Sequence, residues 1–466
     1  MGLLFYPRGG SAQVARYLSH ALVRQGWPVA LISGSLGASG THGNAASFYA
    51  GIDTVSGPYD DAVARFARGD DPMDAPFPMQ PSYERRDGVP DRSFTLVSPL
   101  QGERLVAAWS RLIAASPELR RAGVLHLHHV TPIHRAASDV LPDVPIVTHL
   151  HGTELKMLQA IADPDVELGP HADWWAGRMG EWARAARATI VISPFQHGEA
   201  VRLLGLDPET VHWLPDGVDV ESFATGRADP DERRARWLEW LVRDPQGWDE
   251  SGLPGSVRYG EREVLDAFFD PSTGVARPVL MYVGRFLEFK RVPLLVRAYA
   301  RARARMAVPA PLVIWGGAPG EWEGEHPHAV VTELGLDGVF LAGWRGHQDL
   351  PLGLACGDCF VAPSTAEPFG LVYLEAMSCG LPVIGTLSGG PPSFVNVVPG
   401  EPDGWLVTPD DEKALADAMV HAVDVPDERA RRGANAARHV RESYSWDGLA
   451  QRFTQLYERV SDSRRS

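Results

Sequence analysis

Short apolar runs alternate with amphipathic helical patterns along the whole chain. In the first half the runs are Leu3–Pro7, Pro28–Ser33, Val124–His129, Pro145–His151, Thr189–Ser193 and Val211–Leu214. In the second half they are Val279–Gly284, Leu312–Gly317, Val339–Gly343, Cys359–Pro363, Pro382–Gly385 and Trp405–Thr408. Strand-like runs that alternate with helices are typical of parallel α/β sheets. Two sets of six such runs predict two doubly wound, Rossmann-like α/β domains.

The segment from Phe360 to Gly385 carries the densest chemical signal. A buried-strand pattern leads into a polar loop with Glu367, and Gly370 precedes an apolar helical stretch that contains Glu375. Gly380 then marks the end of that helix. The start of a helix has unpaired N–H groups that suit an anion, so two carboxylates eight residues apart flank a predicted anion site.

A basic pair follows the first strand of the second half. Gly284 and Arg285 close that strand, and Lys290 lies five residues after Arg285. Only three of the 44 basic residues are lysines, so the chain uses 41 arginines. A compact, rotatable ammonium can therefore be a specific requirement at Lys290, because a planar guanidinium does not replace it.

Two weaker signals lie in the first half. Gly9 and Gly10 follow the first strand, where glycines allow a backbone to approach a ligand closely, although a plain tight turn has the same pattern. His151 precedes Gly152 at the end of the fourth strand, where doubly wound folds bind ligands. A lone histidine is more often structural, and only its strand-end position favours a functional role.

Together these elements resemble the retaining glycosyltransferases of the GT-B fold, family 4. The glycine turn, His151, the basic pair and the E-x7-E frame occur in the family's order, and the crossover LPDGVDVESF has Asp216 where asparagine is usual. The resemblance implies two Rossmann-like domains facing a central cleft. We expect an acceptor-side domain over 1–220 and a nucleotide-sugar domain over 221–445 with an insertion near 224–277. A C-terminal helix over 446–466 should cross back to the first domain.

The resemblance also implies roles for single residues. Glu367 would contact the transferred sugar, Glu375 the ribose, and His151 the sugar's hydroxymethyl group. Arg285 and Lys290 would stabilise the charge that develops on the departing diphosphate, as two preorganised cations can. Further donor-binding positions, many of them glycines that bring the backbone close to the phosphates, are Gly9, Gly10, Gly284, Phe369, Gly370, Leu371, Gly389 and Gly390.

The activity implied is retaining, hexosyl-type transfer from a UDP- or GDP-sugar to a soluble acceptor. Charge and composition suggest a small natural product or a glycoside as that acceptor. A front-face displacement, in which the leaving phosphate takes the acceptor proton, follows from the resemblance. Alternatives are a sugar-nucleotide epimerase of similar fold, a phosphorylase that would need a pyridoxal lysine, and a non-catalytic nucleotide-sugar-binding protein. No cofactor beyond the donor substrate is expected.

Charge and composition exclude several partners. The net charge of −15 argues against nucleic acid and anionic membranes, since both need a basic face. No apolar stretch is long enough to span a bilayer, and no basic region precedes an apolar run at the start. Three cysteines give no disulfide framework. A cytoplasmic protein without stable membrane insertion is predicted, with its oligomeric state open.

No required metal is predicted. His126 and His128 share one face of a strand, with His129 and His149 nearby, but no carboxylate or thiolate accompanies them at ligand spacing. They are expected to line the acceptor side or to pack within the sheet. Cys356 and Cys359 form a C-x-x-C whose thiols are expected to be inert in the core. Neither D-x-D triplet, Asp163–Asp165 or Asp229–Asp231, follows an apolar strand, and the second is predicted to cap a helix.

Two long segments depart from a minimal member of the family that the chain resembles. Residues 34–101 are rich in Gly, Pro and Asp and are expected to be a long irregular connection, with Tyr83, Arg85 and Arg86 as candidate acceptor contacts or ordinary surface residues. The second segment, 224–277, contains Trp237, Trp240 and Trp248. The spacing of Trp237 and Trp240 favours packing over sugar stacking.

Overall fold

The computed structural model describes residues 1–85, 88–224 and 226–462. Arg86, one of the candidate acceptor contacts, lies outside these described residues. The chain divides into two compact units. The first comprises residues 1–216 together with the chain from Trp446 onward, and the second comprises residues 217–445.

The first unit is built on a parallel sheet of seven strands in the order β3-β2-β1-β4-β5-β6-β7. Its strands are β1 (Gly2–Leu3), β2 (Ala30–Ser35), β3 (Asp53–Pro58), β4 (Leu125–His128), β5 (Ile146–His149), β6 (Ala188–Val191) and β7 (Val211–Trp213). Strands β4, β5 and β6 are buried along their whole length. Because both faces are covered, these central strands read as mostly apolar runs interrupted by histidines and threonines.

In the described part of the first unit, eight helices connect these strands. They are α1 (Gly9–Arg24), α2 (Ala45–Phe48), α3 (Asp60–Ala67), α4 (Pro99–Ala115), α5 (Pro132–Val140), α6 (Thr153–Ala162), α7 (Ala172–Ala185) and α8 (Phe195–Leu204). Short 3-10 turns occur at Pro72–Asp74, Phe94–Leu96, Leu119–Arg121 and Pro208–Thr210. Helix α4 begins with a capping box in which Ser98 and Gln101 exchange hydrogen bonds, and α5 begins with Pro132 in its first turn.

The first half contains one more strand than the apolar pattern predicts. Residues 34–101, expected to be an irregular connection, contain β3 and the helices α2 and α3. Strand β3 has the sequence DTVSGP, and only Gly57 in it is fully buried. The expectation of irregular structure was wrong here, because an edge strand without a buried apolar face leaves no hydrophobic run to read.

A C-terminal helix, Trp446–Asp462, packs in the first unit against α1. Arg24 donates to Asp447 Oδ1 at 2.7 Å, and the side-chain amide of Gln25 donates to the Asp447 carbonyl. The rings of Trp27 and Tyr457 meet edge to face at 5.8 Å. The first unit is therefore assembled from two separate stretches of the chain.

The second unit is built on a parallel sheet of six strands in the order β10-β9-β8-β11-β12-β13. Its strands are β8 (Leu280–Gly284), β9 (Leu312–Gly316), β10 (Val339–Gly343), β11 (Cys359–Val361), β12 (Val383–Thr386) and β13 (Gly404–Val407). Each coincides with a predicted apolar run. The runs of β9 to β12 are legible because these strands are buried along their whole length, and the run of β13 is legible although only Gly404 is buried in it.

Its helices are α9 (Pro230–Leu238), α10 (Glu261–Phe268), α11 (Val292–Arg303), α12 (Pro327–Glu333), α13 (Leu350–Ala355), α14 (Leu371–Ser378), α15 (Glu412–Asp424) and α16 (Pro426–Ser443). A π-helical turn, Glu239–Arg243, continues α9, and 3-10 turns occur at Glu288–Lys290 and Pro391–Ser393. Asp229 caps α9 by accepting from the N–H groups of Asp231 and Glu232, with Pro230 in the first turn. The predicted cap is confirmed.

The segment 224–277 packs on its own unit. Trp237, Trp240 and Trp248 are all buried, at 1%, 4% and 0% exposure, so the packing interpretation of Trp237 and Trp240 is confirmed. The ring of Trp240 meets that of Trp315 edge to face at 4.9 Å. The Tyr259 hydroxyl accepts from the Leu341 N–H at 2.7 Å, which places the segment against the edge strand β10.

Over the described ranges, the longest apolar helical stretches fall short of what a bilayer crossing requires.

Candidate active-site residues

The start of α14 is an open helix end in the second unit. Gly370 caps it with a φ of +108°, a left-handed conformation that glycine adopts without strain, and no side chain caps the helix. The Tyr373 hydroxyl donates to the Ala362 carbonyl at 2.6 Å and ties α14 to the end of β11. Peptide N–H groups and the positive end of the helix dipole are therefore presented at this point.

Lys290 and Glu367 form an ion pair beside this helix end. Lys290 Nζ lies 2.5 Å from Glu367 Oε2, and the two side chains are 14% and 8% exposed. The two loops are also joined by their backbones, because the Thr365 N–H donates to the Phe289 carbonyl at 2.8 Å. The structure thus brings together the predicted lysine of one loop and the predicted first glutamate of another.

Gly389 and Gly390 pack directly on the loop that carries Glu367. The Gly390 N–H donates to the Glu367 carbonyl at 2.8 Å. A Cβ at Gly389 would lie 2.4 Å from that same carbonyl oxygen, and one at Gly390 would lie 2.1 Å from the Phe369 carbonyl oxygen. Both glycines are required by this close backbone approach, and the Gly390 N–H is already used within the protein.

Glu375 lies on the second turn of α14 and accepts from a neighbouring histidine. His347 Nε2 and Glu375 Oε1 are 3.0 Å apart. The His347 ring also meets the Phe223 ring edge to face at 5.6 Å. His347 therefore orients one carboxylate oxygen of Glu375.

The other residues of this unit that are predicted to bind the nucleotide sugar differ in solvent exposure. Gly284 ends β8, its carbonyl accepts from the Gly317 N–H, and Arg285 beyond it is exposed. Leu371 is half-buried in the first turn of α14. Phe369 is only 2% exposed and its ring packs against Phe394 at 5.3 Å. A ligand contact of Phe369 is thus limited to its backbone.

In the first unit, Gly9 and Gly10 form the exposed first turn of α1. Gly9 has a φ of +70°, and no side chain caps this helix. Arg8, immediately before it, donates to the buried carboxylate of Asp91 at 2.5 Å. The turn therefore offers free backbone space, as a loop that approaches a phosphate or an acceptor requires.

His151 follows β5 and is half-buried. Its backbone N–H donates to Glu154 Oε1 at 2.7 Å, and its Nε2 lies 2.9 Å from His128 Nδ1. Its ring stacks on that of His149, with centroids 4.5 Å apart. The structure places His151 at the predicted carboxyl end of β5, inside a cluster of histidines rather than alone.

The cluster extends through the sheet as a chain of hydrogen bonds. Tyr457 Oη lies 2.5 Å from His126 Nδ1, and His126 Nε2 lies 3.0 Å from His149 Nδ1. Burial lowers the pKa of His126, His128, His149 and His151 well below the usual value, and their mutual repulsion lowers it further. These imidazoles are neutral at physiological pH. A separate pair, His129 with Glu154 at 3.0 Å, lies beside the cluster.

Asp216 is the residue of this cluster that the sequence pattern missed. Its Oδ1 lies 3.6 Å from His149 Nε2, and the side chain is 3% exposed. Burial raises the pKa of Asp216 from 3.8 to about 8. No carboxylate lies at ligand spacing from these histidines in the sequence, but in the folded chain Asp216 lies beside His149, so this part of the prediction was wrong. The only signal was the aspartate at a crossover position where asparagine is usual.

Tyr83 and the C-x-x-C pair, two other candidate signals, lie within the packed interior. Tyr83 is buried and its hydroxyl donates to the Val130 carbonyl at 2.8 Å, whereas Arg85 is exposed. Tyr83 is therefore not available as an acceptor contact. Cys356 and Cys359 are buried free thiols, and burial raises the pKa of each to about 12, which confirms that they are inert.

Two family models match this chain. The first match is to the model described as Glycosyltransferase Family 4, over residues 8–222, and the second is to Glycosyl transferases group 1, over residues 277–424. The chain belongs to glycosyltransferase family 4. Between the two matched regions lies the segment with the buried tryptophans.

Curated relatives agree with this family. A D-inositol 3-phosphate glycosyltransferase of Kineococcus radiotolerans is 29% identical over 343 residues, which is 69% of this chain and 68% of the relative. An alpha-maltose-1-phosphate synthase of Mycolicibacterium smegmatis is 28% identical over 356 residues, which is 73% of this chain and 80% of the relative. The chain is a family 4 glycosyltransferase.

Solved structures show the fold. A sucrose-phosphate synthase from Thermosynechococcus elongatus superposes with a TM-score of 0.63 at 20% identity, covering 99% of both chains. Anabaena HepE, solved in complex with UDP and glucose, superposes with a TM-score of 0.62 at 18% identity, covering 98% of both chains. The family 4 enzyme described here has the GT-B fold predicted from its sequence.

Proposed function

We propose that this enzyme transfers a hexose from a nucleoside-diphosphate sugar, with UDP as the first candidate nucleotide, to a small polyhydroxylated acceptor. The observation that carries the proposal is the grouping of Lys290, Glu367 and the uncapped start of α14 within one unit. A cation and free peptide N–H groups suit a diphosphate, and a carboxylate beside them suits sugar hydroxyls.

The leaving group would be stabilised without a divalent cation at the diphosphate. Breaking the sugar–phosphate bond moves an electron pair onto the diphosphate oxygen, and that charge would be met by Lys290, by Arg285 and by the N–H groups of Leu371 and its neighbours. Transfer would then proceed without added Mg²⁺ or Mn²⁺. The ion pair with Glu367 holds the Lys290 ammonium in place before the donor binds.

Glu375 would bind the ribose of the donor. Its Oε1 is oriented by His347, which leaves the other oxygen for a hydroxyl donor. His151 would act on the sugar and acceptor side in the first unit, where Gly9 and Gly10 leave room at the start of α1. Retention of anomeric configuration through a front-face displacement is the stereochemical course we propose.

Two relatives suggest which acceptors to test first. One is named for D-inositol 3-phosphate and the other for alpha-maltose 1-phosphate, so both names contain a small phosphorylated polyol or sugar. A phosphorylated small acceptor is thus a better first choice than the natural-product acceptor that composition alone suggested.

A two-step experiment tests the proposal. Thermal-shift measurements with UDP, GDP and ADP identify the nucleotide, because a ligand that binds only the folded state raises Tm. Mass spectrometry of reactions with the matching sugar donors, each with inositol phosphate, glucose 1-phosphate or no acceptor, then identifies the product. Transfer in the presence of EDTA is expected. A released or epimerised sugar without any acceptor adduct would contradict the transferase assignment, and NMR of the new linkage reports the anomeric outcome.

A further inference from the structure

We propose that the first unit binds a zinc ion through His149 Nε2, Asp216 Oδ1 and a ring nitrogen of His151. The three side chains offer ligand atoms that all lie within 4.8 Å of one another. His149 and Asp216 are almost fully buried, at 0% and 3% side-chain exposure. The proposal concerns an ion held by the protein itself and is independent of how the donor diphosphate is bound.

The separation of two of these atoms fits shared ligation better than a hydrogen bond. His149 Nε2 and Asp216 Oδ1 are 3.6 Å apart, which is longer than an N–H···O hydrogen bond. Zinc bonds of about 2.0–2.2 Å in tetrahedral geometry place two ligand atoms about 3.4 Å from each other. The observed spacing is within the tolerance of such a site.

Both atoms also lack a partner in the part of the chain that the structure describes. His149 Nε2 and Asp216 Oδ1 are buried and accept or donate no hydrogen bond there. A buried polar atom without a hydrogen bond lowers the stability of a folded protein, and most buried polar atoms in proteins have a partner. Two such atoms 3.6 Å apart fit the ligation of one shared ion.

The hydrogen-bond chain behind His149 is compatible with the tautomer that a metal requires. Tyr457 Oη can accept from His126 Nδ1–H, and His126 Nε2 can then accept from His149 Nδ1–H, at 2.5 and 3.0 Å. This leaves the lone pair of His149 Nε2 free. Metal-ligating histidines typically donate their other ring N–H to such a partner, which fixes the ring.

His151 has an equivalent support. Its Nε2 and His128 Nδ1 are 2.9 Å apart, and its backbone N–H is held by Glu154. A set of two imidazoles and one carboxylate, with a further position for water, is typical of zinc rather than of Mg²⁺ or Ca²⁺, which prefer oxygen ligands.

The test measures metal in the full chain, produced without a polyhistidine tag and with Zn²⁺ in the medium. After desalting, inductively coupled plasma mass spectrometry should find about one zinc per chain. A crystal should show an anomalous difference peak at the zinc edge between His149 and Asp216. Loading the stripped protein with Co²⁺ should give the visible absorption of a tetrahedral site. None of these measurements needs a sugar donor or an acceptor.

Variants assign the ligands. Asp216→Asn keeps the shape of the side chain but removes its charge, and should lower the zinc content at least tenfold. The matched control is Asp403→Asn, which alters another buried aspartate that pairs with a histidine, His439, at an ordinary 2.7 Å. It should keep the full zinc content. His151→Ala should lose zinc along with turnover, whereas a residue that only touches sugar would leave the metal content unchanged.

Two outcomes would overturn the proposal. One is a wild-type chain that is folded by circular dichroism yet holds no zinc and gives no Co²⁺ spectrum, which would make His149 and Asp216 a loosely spaced neutral pair. The other is an equal zinc content in the wild type and in Asp216→Asn, which would place any ion elsewhere. If Asp216→Asn does not fold, the wild-type metal content and the anomalous peak still decide. Activity without zinc would leave the proposed transferase function intact.

Discussion

Lys290 Nζ donates to Glu367 Oε2 at 2.5 Å, so the predicted catalytic cation is neutralised by the predicted sugar-binding carboxylate before any donor arrives. The sequence analysis did not pair these two residues. The pair means that binding of a diphosphate must compete with, or add to, an interaction that already exists. Single substitutions at either position therefore change both the site and the local stability, and experiments must separate the two effects.

The first prediction concerns that pair. Lys290→Ala should lower turnover by about a hundredfold, because a preorganised charge is lost where negative charge develops. It should also destabilise the protein by about 1–3 kcal/mol, because Glu367 is left almost buried without its partner. Steady-state kinetics and urea unfolding measure the two effects.

The double variant Lys290→Ala/Glu367→Gln should regain most of that stability without regaining turnover. Lys413→Ala is the matched control, because Lys413 is 77% exposed and pairs only across one helical turn with Asp417. It should alter neither quantity. Lys290→Arg should be impaired, and full activity of this variant would exclude a specific need for the ammonium.

The second prediction concerns Glu375. Glu375→Gln should weaken binding of the nucleoside diphosphate at least tenfold and affect kcat less, because a ribose contact is made equally in the ground state and in the transition state. Isothermal titration calorimetry with UDP measures the affinity. Glu401→Gln, at a side chain that is 76% exposed, should bind like the wild type. A loss confined to kcat would point instead to a role in the chemical step.

The third prediction concerns Gly390. Gly390→Ala should destabilise the second unit and impair activity, since the new methyl group would lie 2.1 Å from the Phe369 carbonyl oxygen and would displace the Glu367 loop. Thermal denaturation and kinetics report the two losses. Gly198→Ala is the control, because a Cβ there meets nothing within 4 Å and alanine favours the helix α8. Normal activity of Gly390→Ala would show that the loop contact is dispensable.

The fourth prediction concerns stability at acidic pH. His134 is buried, its Nδ1 accepts from the Thr131 N–H at 3.3 Å, and its Nε2 lies 3.1 Å from Thr148 Oγ1. Burial lowers the pKa of His134 from 6.5 to about 4. Because the unfolded chain binds the proton more readily, the stability that neutral His134 contributes is present above pH 6.5. It is lost as pH falls towards 4.

Between pH 7.5 and pH 5 this one group should cost about 2 kcal/mol of unfolding free energy. His134→Asn keeps an acceptor for the Thr131 N–H and does not titrate. Its unfolding free energy should therefore fall less steeply over that range, as urea denaturation at several pH values would show. Parallel pH profiles of the two proteins would mean that His134 is protonated equally in both states.

Sequence patterns predicted the buried strands well and missed one polar edge strand. Strands β9 to β12 were legible because they are buried along their whole length, whereas β3 was missed because Gly57 is the single buried residue of its DTVSGP sequence. The segment 224–277 was recognised as extra, but its packing against β10 depends on the contact of Tyr259 with Leu341, which no local pattern encodes. Edge strands are defined by what pairs with them, and that is a property of the folded chain.

The same distinction applies to the candidate site. Glu367, Gly370 and Glu375 lie within one strand–loop–helix unit, so their spacing along the chain could indicate a shared purpose. The contact of His149 with Asp216 joins residues that are far apart in sequence, and the partnership of Lys290 with Glu367 joins two different loops. Such contacts follow from the sheet order and could not be inferred from spacing.

The C-terminal helix has a consequence for synthesis. Its Tyr457 reaches His126 in the sheet of the first unit, yet it is translated only after all of residues 217–445. A ribosome-bound chain can fold the second unit while the first still lacks its C-terminal helix. Until that helix is made, the apolar surface of α1 that it covers stays exposed. The N-terminal half is thus the last to be completed. Its exposure to chaperones and proteases during translation lasts as long as the second unit takes to be made.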